Sequence, residues 1–468
     1  MKSLSLRTLI TFSVLSLGLT SFLPAQAVEV FFERDQKVPL VYVSVAFRAG
    51  ATQDPEKLQG ISQFTTELML RGTKSRSRER LDLDLDQMGA HLAVEVRAEY
   101  LVFQGAVLSR ELNGFLELLM EVLTQPAFSE GEIQKLKSEL KSGLLDEQSK
   151  DARVAAKQFA RFFFDGHPYG WAINGTQTSL SRIKKPDILA QYEKIIQSNH
   201  AVVIGSGDAE QVIFEKWASE FGQLRNGGSA ITQLTKPSLT KSRRLLLIDK
   251  PERTQSRILI GQLGGKMQDP NYYSLTLANQ AIGGGTLGRF YFEIREKRGW
   301  SYGAYSSFRY GSQPRYWIMN YEPATKDTLS SLKFSLELIE EIKKNGITEA
   351  EFQQAKQTLI NNAGFAYNTP QKRVDNRLLE KMLSLPNDFF KDTSSHLTPL
   401  TREAVNKELA AFLTPDTLAI GVLGSLKDQS DELIKAARVD PKNAYIQSYL
   451  DEDQKPKNLT SGSKSKPN

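Results

Sequence analysis

The sequence predicts an α+β protein built as two tandem homologous units, each a mostly antiparallel sheet packed with helices into an α/β sandwich. Three observations carry the prediction. Short segments recur in the same order in both halves, beginning with Gly50-Ala51-Thr52-Gln53-Asp54-Pro55 and Gly265-Lys266-Met267-Gln268-Asp269-Pro270, which share G-x-x-Q-D-P. Each half alternates strand-like apolar stretches with longer segments of helical period. The length, 468 residues, exceeds what one core accommodates, while 40% apolar and 24% charged residues describe an ordinary globular chain.

At the N-terminus, Lys2 and Arg7 precede an apolar run from Leu9 to Leu23, and Ala25-Gln26-Ala27 supplies the small residues of a cleavage site. Residues 1–27 therefore read as a secretory signal peptide, and the run is too short and too often interrupted by Ser and Thr to span a bilayer. An exported chain follows, periplasmic by expectation, with release to the medium as the other outcome. With no cysteine, disulfide and thiolate chemistry are excluded. The formal charge of +6 is spread among interleaved acids, which gives no case for nucleic acid.

From Val28 to Phe47 the alternation reads as strand, clearest in Val41-Tyr42-Val43-Ser44-Val45-Ala46-Phe47. Next comes the first G-x-x-Q-D-P turn and a helical segment. Ser129 with Glu132, and Thr348 with Glu351, each mark a helix start with a capping box, and they form the second matched pair. Asn199-His200-Ala201-Val202-Val203-Ile204 and Asp416-Thr417-Leu418-Ala419-Ile420-Gly421 form the third, a closing strand. Three markers in one order at nearly constant offset indicate duplication of a unit of roughly 200 residues. The boundaries follow: an N-terminal domain over 28–223, a polar Gly/Pro-marked linker over 224–243, a C-terminal domain over 244–430, and a polar tail over 431–468 expected to be largely disordered.

The most informative stretch runs from Gly283-Gly284-Gly285 through Arg289-Phe290-Tyr291-Phe292-Glu293-Ile294-Arg295-Glu296-Lys297-Arg298-Gly299 to Trp300-Ser301-Tyr302. It reads as glycine loop, helix, turn, strand. Glycines at a helix start would expose N–H groups to an anion or a peptide carbonyl, or serve only as a flexible helix entry. Phosphate is disfavoured, because neither G-x-x-x-x-G-K-[ST] nor a strand–GxGxxG–helix context is present. A turn between Arg295 and Tyr302 would bring a guanidinium and a phenol onto one wall.

This stretch resembles the C-terminal domain of the pitrilysin/insulinase-type zinc peptidases and mitochondrial-processing-peptidase-like proteins, where it reads G-G-G … R-E-K-R-G-x-x-Y. The resemblance implies that the chain forms half of a clamshell. It also implies that Arg295 and Tyr302 contact substrate backbone, with Gly283, Gly284 and Gly285 along the substrate path. Family members carry H-x-x-E-H on the first helix of the N-terminal unit, and the matching segment here is Gly60-Ile61-Ser62-Gln63-Phe64-Thr65-Thr66-Glu67. Gln63 and Glu67 stand at the two His positions and Thr66 at the general base, while the third ligand position falls at Ser142 or Gly143. Amide, hydroxyl and one carboxylate do not hold zinc tightly. The four histidines, His91, His167, His200 and His396, are scattered and read as structural, His167 as the shaper of the His167-Pro168-Tyr169-Gly170 loop.

The expectation is therefore a chain that binds no metal. It would serve as the non-catalytic subunit of a heterodimeric metallopeptidase, supplying Arg295, Tyr302 and the glycine loop to a homologous H-x-x-E-H subunit that carries the zinc. The alternative is a structural scaffold or peptide-binding protein without proteolytic role.

Overall fold

The computed structural model of the chain describes residues 28–225, 230–238, 240–426, 428–451 and 453–459. The expected signal peptide lies outside them, as does the last part of the expected tail.

The first unit holds a five-stranded sheet made of β1 (Glu29–Arg34), β2 (Leu40–Phe47), β3 (His91–Val96), β4 (Leu101–Leu108) and β5 (Ala201–Gly207), in the order β1-β5-β2-β4-β3. The second holds β6 (Arg244–Asp249), β7 (Arg257–Leu263), β8 (Ala304–Phe308), β9 (Tyr316–Tyr321) and β10 (Ala419–Gly424), in the order β6-β10-β7-β9-β8. The two orders are the same when the strands are matched one to one, which is the duplication expressed as topology. Among these five strands of each sheet the first runs parallel to the last and every other neighbour is antiparallel. The stretch 28–47, read as one strand, is two. Lys37 N–H donates to Asp35, the chain turns before Pro39, and β5 separates β1 from β2.

The second sheet continues past β6 through β11 (Ala444–Ser448) and β12 (Lys457–Asn458). The boundary at 430 is thus too early, and described residues of the expected disordered tail are ordered. The helix Ser430–Ala437 buries Leu433, Ile434 and Ala437 at helical spacing, and β11 pairs in parallel with β6. The polar composition that suggested disorder belongs to a short strand near a sheet edge, where one face and one edge meet water.

One face of each sheet packs on its own unit's helices. Phe64, Phe103, Phe115 and Phe221 lie in the first core, and Phe290, Trp317, Leu336 and Ile420 in the second. The opposite faces are covered by exchange. The helix Asp151–Phe163 leaves the first unit and buries Val154, Ala155, Phe159 and Phe162 against Leu246, Ile248, Leu259 and Leu423 of the second sheet. The helix Pro370–Met382 returns the favour, setting Val374, Leu378 and Met382 against Ala46, Val102, Val202 and Ile204 of the first. Phe159 fits because the sheet beneath it is flat: a Cβ added at Gly421 would stand 2.7 Å from its ring, and one at Gly261 3.2 Å. The two units therefore share their apolar surface.

Candidate functional site

The helix Tyr272–Gly283 delivers the chain to the site. The glycines close this helix instead of opening the next, which corrects the sequence reading. Gly283 is buried where a Cβ would meet Phe290 at 2.7 Å, and a Cβ on Gly288 would meet the Gly283 backbone at 2.9 Å. Their smallness lets one helix end press against the start of the following one. Gly284 keeps ordinary helical angles, and Thr286 and Leu287 stand exposed at the tip.

The following segment is one turn of α-helix, Arg289–Tyr291, running into a π-helical turn, Phe292–Glu296, in which Lys297 N–H reaches Phe292 O at 3.0 Å. The wider turn keeps Phe290 and Ile294 in the core while setting Arg295 at the surface beside Tyr291. Gly299, at φ +63°, ends the run, and the Ser301 hydroxyl pins the entry to β8 by accepting from Glu322 N–H and donating to Gly303 O. This leaves Tyr302 pointing outward, 85% exposed.

The structure brings Arg295 and Tyr302 together. Arg295 Nη1 donates to the main-chain oxygen of Tyr302 at 2.8 Å, and the guanidinium carbon lies 4.4 Å from the Tyr302 ring centroid and 5.1 Å from that of Tyr291. Glu296 is 3.4 Å from Nε. Tyr305, whose ring folds over Gly303 and lies 5.8 Å from Tyr291, completes an aromatic ledge. Sequence reasoning missed Tyr291 and Tyr305. The available signal was the four-residue spacing of Tyr291 and Arg295, which puts both on one helical face.

The first unit presents the other half of the comparison. On the helix Ile61–Met69, Gln63 Nε2 donates to Glu67 Oε1 at 2.5 Å, so these two side chains satisfy one another. Thr66 is fully buried and its hydroxyl donates back to Ser62 O at 2.9 Å. On the helix Glu130–Ser149, Ser142 and Gly143 are exposed. Glu132 and Glu139, on the same helix, are held by Arg71. That pairing also dissolves the expected first capping box: Ser129 accepts from Glu132 N–H, but the Glu132 carboxylate turns to Arg71 and Lys135, whereas the box at Thr348 and Glu351 is complete. No group of three His, Cys, Asp or Glu among the described residues could hold a metal ion. The residues at the zinc positions therefore do not fit zinc.

What holds this helix in place is Asp54, from the G-x-x-Q-D-P turn. Wholly buried, it accepts from Gly60 N–H at 2.8 Å, from the Ser62 hydroxyl at 2.5 Å and from Ser62 N–H at 3.2 Å. Burial pushes its carboxyl up to about 7 from the ordinary 3.8, against those hydrogen bonds and the nearby Lys194. His167 shapes its loop as expected, accepting from Tyr169 N–H at 3.1 Å.

A duplicated sheet-and-helix unit, with an Arg/Tyr ledge in the second copy and an altered metal helix in the first, defines the half-clamshell class of peptidase-like chains. Residues 29–177 match the model described as insulinase (peptidase family M16), and residues 182–359 match the peptidase M16 inactive domain. The chain belongs to peptidase family M16. A Helicobacter pylori relative described as a non-peptidase homolog is 21% identical, over 86% of this chain and 92% of its own length. A mitochondrial-processing peptidase subunit beta from Blastocladiella emersonii is 21% identical over 52% of this chain and 51% of its own. Among solved structures, a peptidase M16 inactive domain from Pseudomonas fluorescens superposes with a TM-score of 0.80 at 23% identity, over 85% of this chain and 95% of that one.

Proposed function

We propose that this chain is the non-catalytic, zinc-free subunit of a heterodimeric metallopeptidase, exported to the periplasm. It would hold peptide substrate against the zinc site of an H-x-x-E-H partner. One observation carries the reading: Arg295 and Tyr302 sit together on an exposed ledge, while Gln63 and Glu67 are paired with each other. The match to a processing-peptidase subunit and to the inactive-domain model supports it. In this role Arg295 presents its remaining N–H groups, and Tyr302 its phenol, to a substrate carbonyl. A fixed cation and a phenolic donor suit an oxygen that gains charge during hydrolysis. Gly284 and Gly285 carry no side chain, so substrate backbone would pass close to the ledge there.

A second reading, a peptide-binding scaffold, is favoured by the relative described as a non-peptidase homolog. Hydrolysis of a mixed fluorogenic peptide library by the mature chain, alone and with an H-x-x-E-H partner, separates the two. Activity only in the mixture supports the subunit, silence in both supports the scaffold, and zinc-dependent activity of the isolated chain would sink both.

A further inference from the structure

The duplication leaves one place where the two copies differ in a way that creates a vacancy. In the second sheet the outer edge of β6 is occupied by β11 in parallel, with Ala444 beside Leu245 and Ser448 beside Asp249. Its counterpart β1 is the terminal strand of the first sheet. The segment that corresponds in order to β11 is the linker, and it runs elsewhere: Thr232 exchanges hydrogen bonds with the Gln53 side chain, and Thr235 O meets His167. Asp35 N–H donates inward to Gly207 O at 2.9 Å, so by strand alternation the main-chain groups of Val30, Phe32 and Arg34 point outward. Among the described residues they have no main-chain partner.

Beside this edge lies a cavity of about 360 Å³ between β1, β5 and the chain from Tyr367 to Lys391. Phe31 and Tyr367 line it, and Ser206 contributes a hydroxyl that is buried and without a partner. Two of its cations are neutralised: Arg373 by Glu33 and Asp35, Arg377 by Asp388. Lys391, exposed at the lining, has no carboxylate within ion-pair distance among the described residues.

We propose that β1 is a docking edge for an extended peptide segment of another polypeptide. It would add as a sixth strand, place an apolar side chain in the cavity, and set a carboxylate against Lys391. The second copy of the fold demonstrates that this edge geometry accepts a parallel strand, and main-chain pairing plus one side-chain pocket is the general mode of strand addition. The segment 460–468 does not fit, because it contains two lysines, no acidic side chain and no large apolar residue. A second copy of β1 does not fit either, since its Phe31 and Glu33 are engaged by Lys381 and Arg373 of their own chain.

The test selects binders from a displayed random decapeptide library on the mature chain, residues 28–468, and maps them by amide hydrogen exchange. The expected binders combine an apolar residue with an acid and slow exchange in residues 28–35. Arg34→Pro removes one outward N–H and should weaken binding at least tenfold with the melting temperature unchanged. Should that variant fold poorly, Lys391→Glu supplies the independent arm, with acidic binders weakened at least fivefold. No enriched peptide, protection confined to other segments, undiminished binding by both β1-side variants, or a mature chain that is a dimer dissociated by Arg34→Pro would each overturn the proposal.

Discussion

Arg295 donates to the main-chain oxygen of Tyr302, the residue whose ring it also stacks against, so the backbone that sets the phenol also sets the cation. The guanidinium is thereby tethered to the main chain from which the phenol projects. In the heterodimer proposed above, Arg295→Ala should lower turnover about 100- to 1000-fold, the effect of losing one preorganised donor, with dimerisation intact. Arg295→Lys should fall nearly as far, because an ammonium cannot hold the Tyr302 oxygen and face substrate at once. Steady-state kinetics on the purified complex checks both, and wild-type turnover in either would remove the residue from the site.

Tyr291→Leu tests the aromatic support. It removes the ring on one side of the guanidinium while preserving an apolar side chain in a nearly buried position. The expected result is a modest loss of turnover, roughly three- to tenfold from about 1 kcal/mol of cation–π contact, without loss of stability. A fall in melting temperature with unaltered turnover in the folded fraction would make Tyr291 a core residue only.

Asp54 makes the first unit sensitive to pH. Its folded value lies above its unfolded one, so the folded state holds the extra proton between about 4 and about 7. The stability it contributes is complete below the unfolded value and is lost as pH rises through the folded value. Urea unfolding at pH 5 and pH 8 should show the wild type less stable at pH 8, by on the order of a few kcal/mol. Asp54→Asn should flatten that difference, and an equal difference in both proteins would assign it to other groups.

Phe159 ties the units together across Gly261 and Gly421. Phe159→Ala should destabilise the chain by about 3–5 kcal/mol, and denaturation followed by tryptophan fluorescence and by circular dichroism should still coincide. Separate transitions would show that the exchange of helices does not couple the units.

Removal of metal provides the last test. Prolonged chelator treatment of the isolated chain should leave its melting temperature unchanged, since Gln63 and Glu67 bond to each other. A lowered melting temperature, restored by zinc, would reverse the reading of that helix.

The duplication was legible because its markers are turn and cap residues, Asp54 and Thr348 among them, whose types are dictated by local hydrogen bonding. The proximity of Arg295 and Tyr302 was legible from the turn at Gly299 between them, while the role given to the pair came only from the family resemblance. The helix exchange was not. Val154, Phe159, Val374 and Leu378 show an ordinary amphipathic pattern, which states that a face is covered and not whose sheet covers it. The π-helical turn escaped as well, since one extra residue in a turn leaves no compositional trace. At Gly283 the residue type was read correctly but assigned to the wrong end of a helix, because close packing and helix entry both ask for glycine.

The exchange also sets a timetable for the growing chain. The sheet face formed by Ala46, Val102, Val202 and Ile204 is complete in sequence long before its cover, Val374 to Met382, has been made. At about 5–20 residues per second the first unit waits roughly 10 to 35 seconds with an apolar face and an open β1 edge bare. An apolar face left bare for that long is an aggregation hazard, which the completed exchange of helices removes.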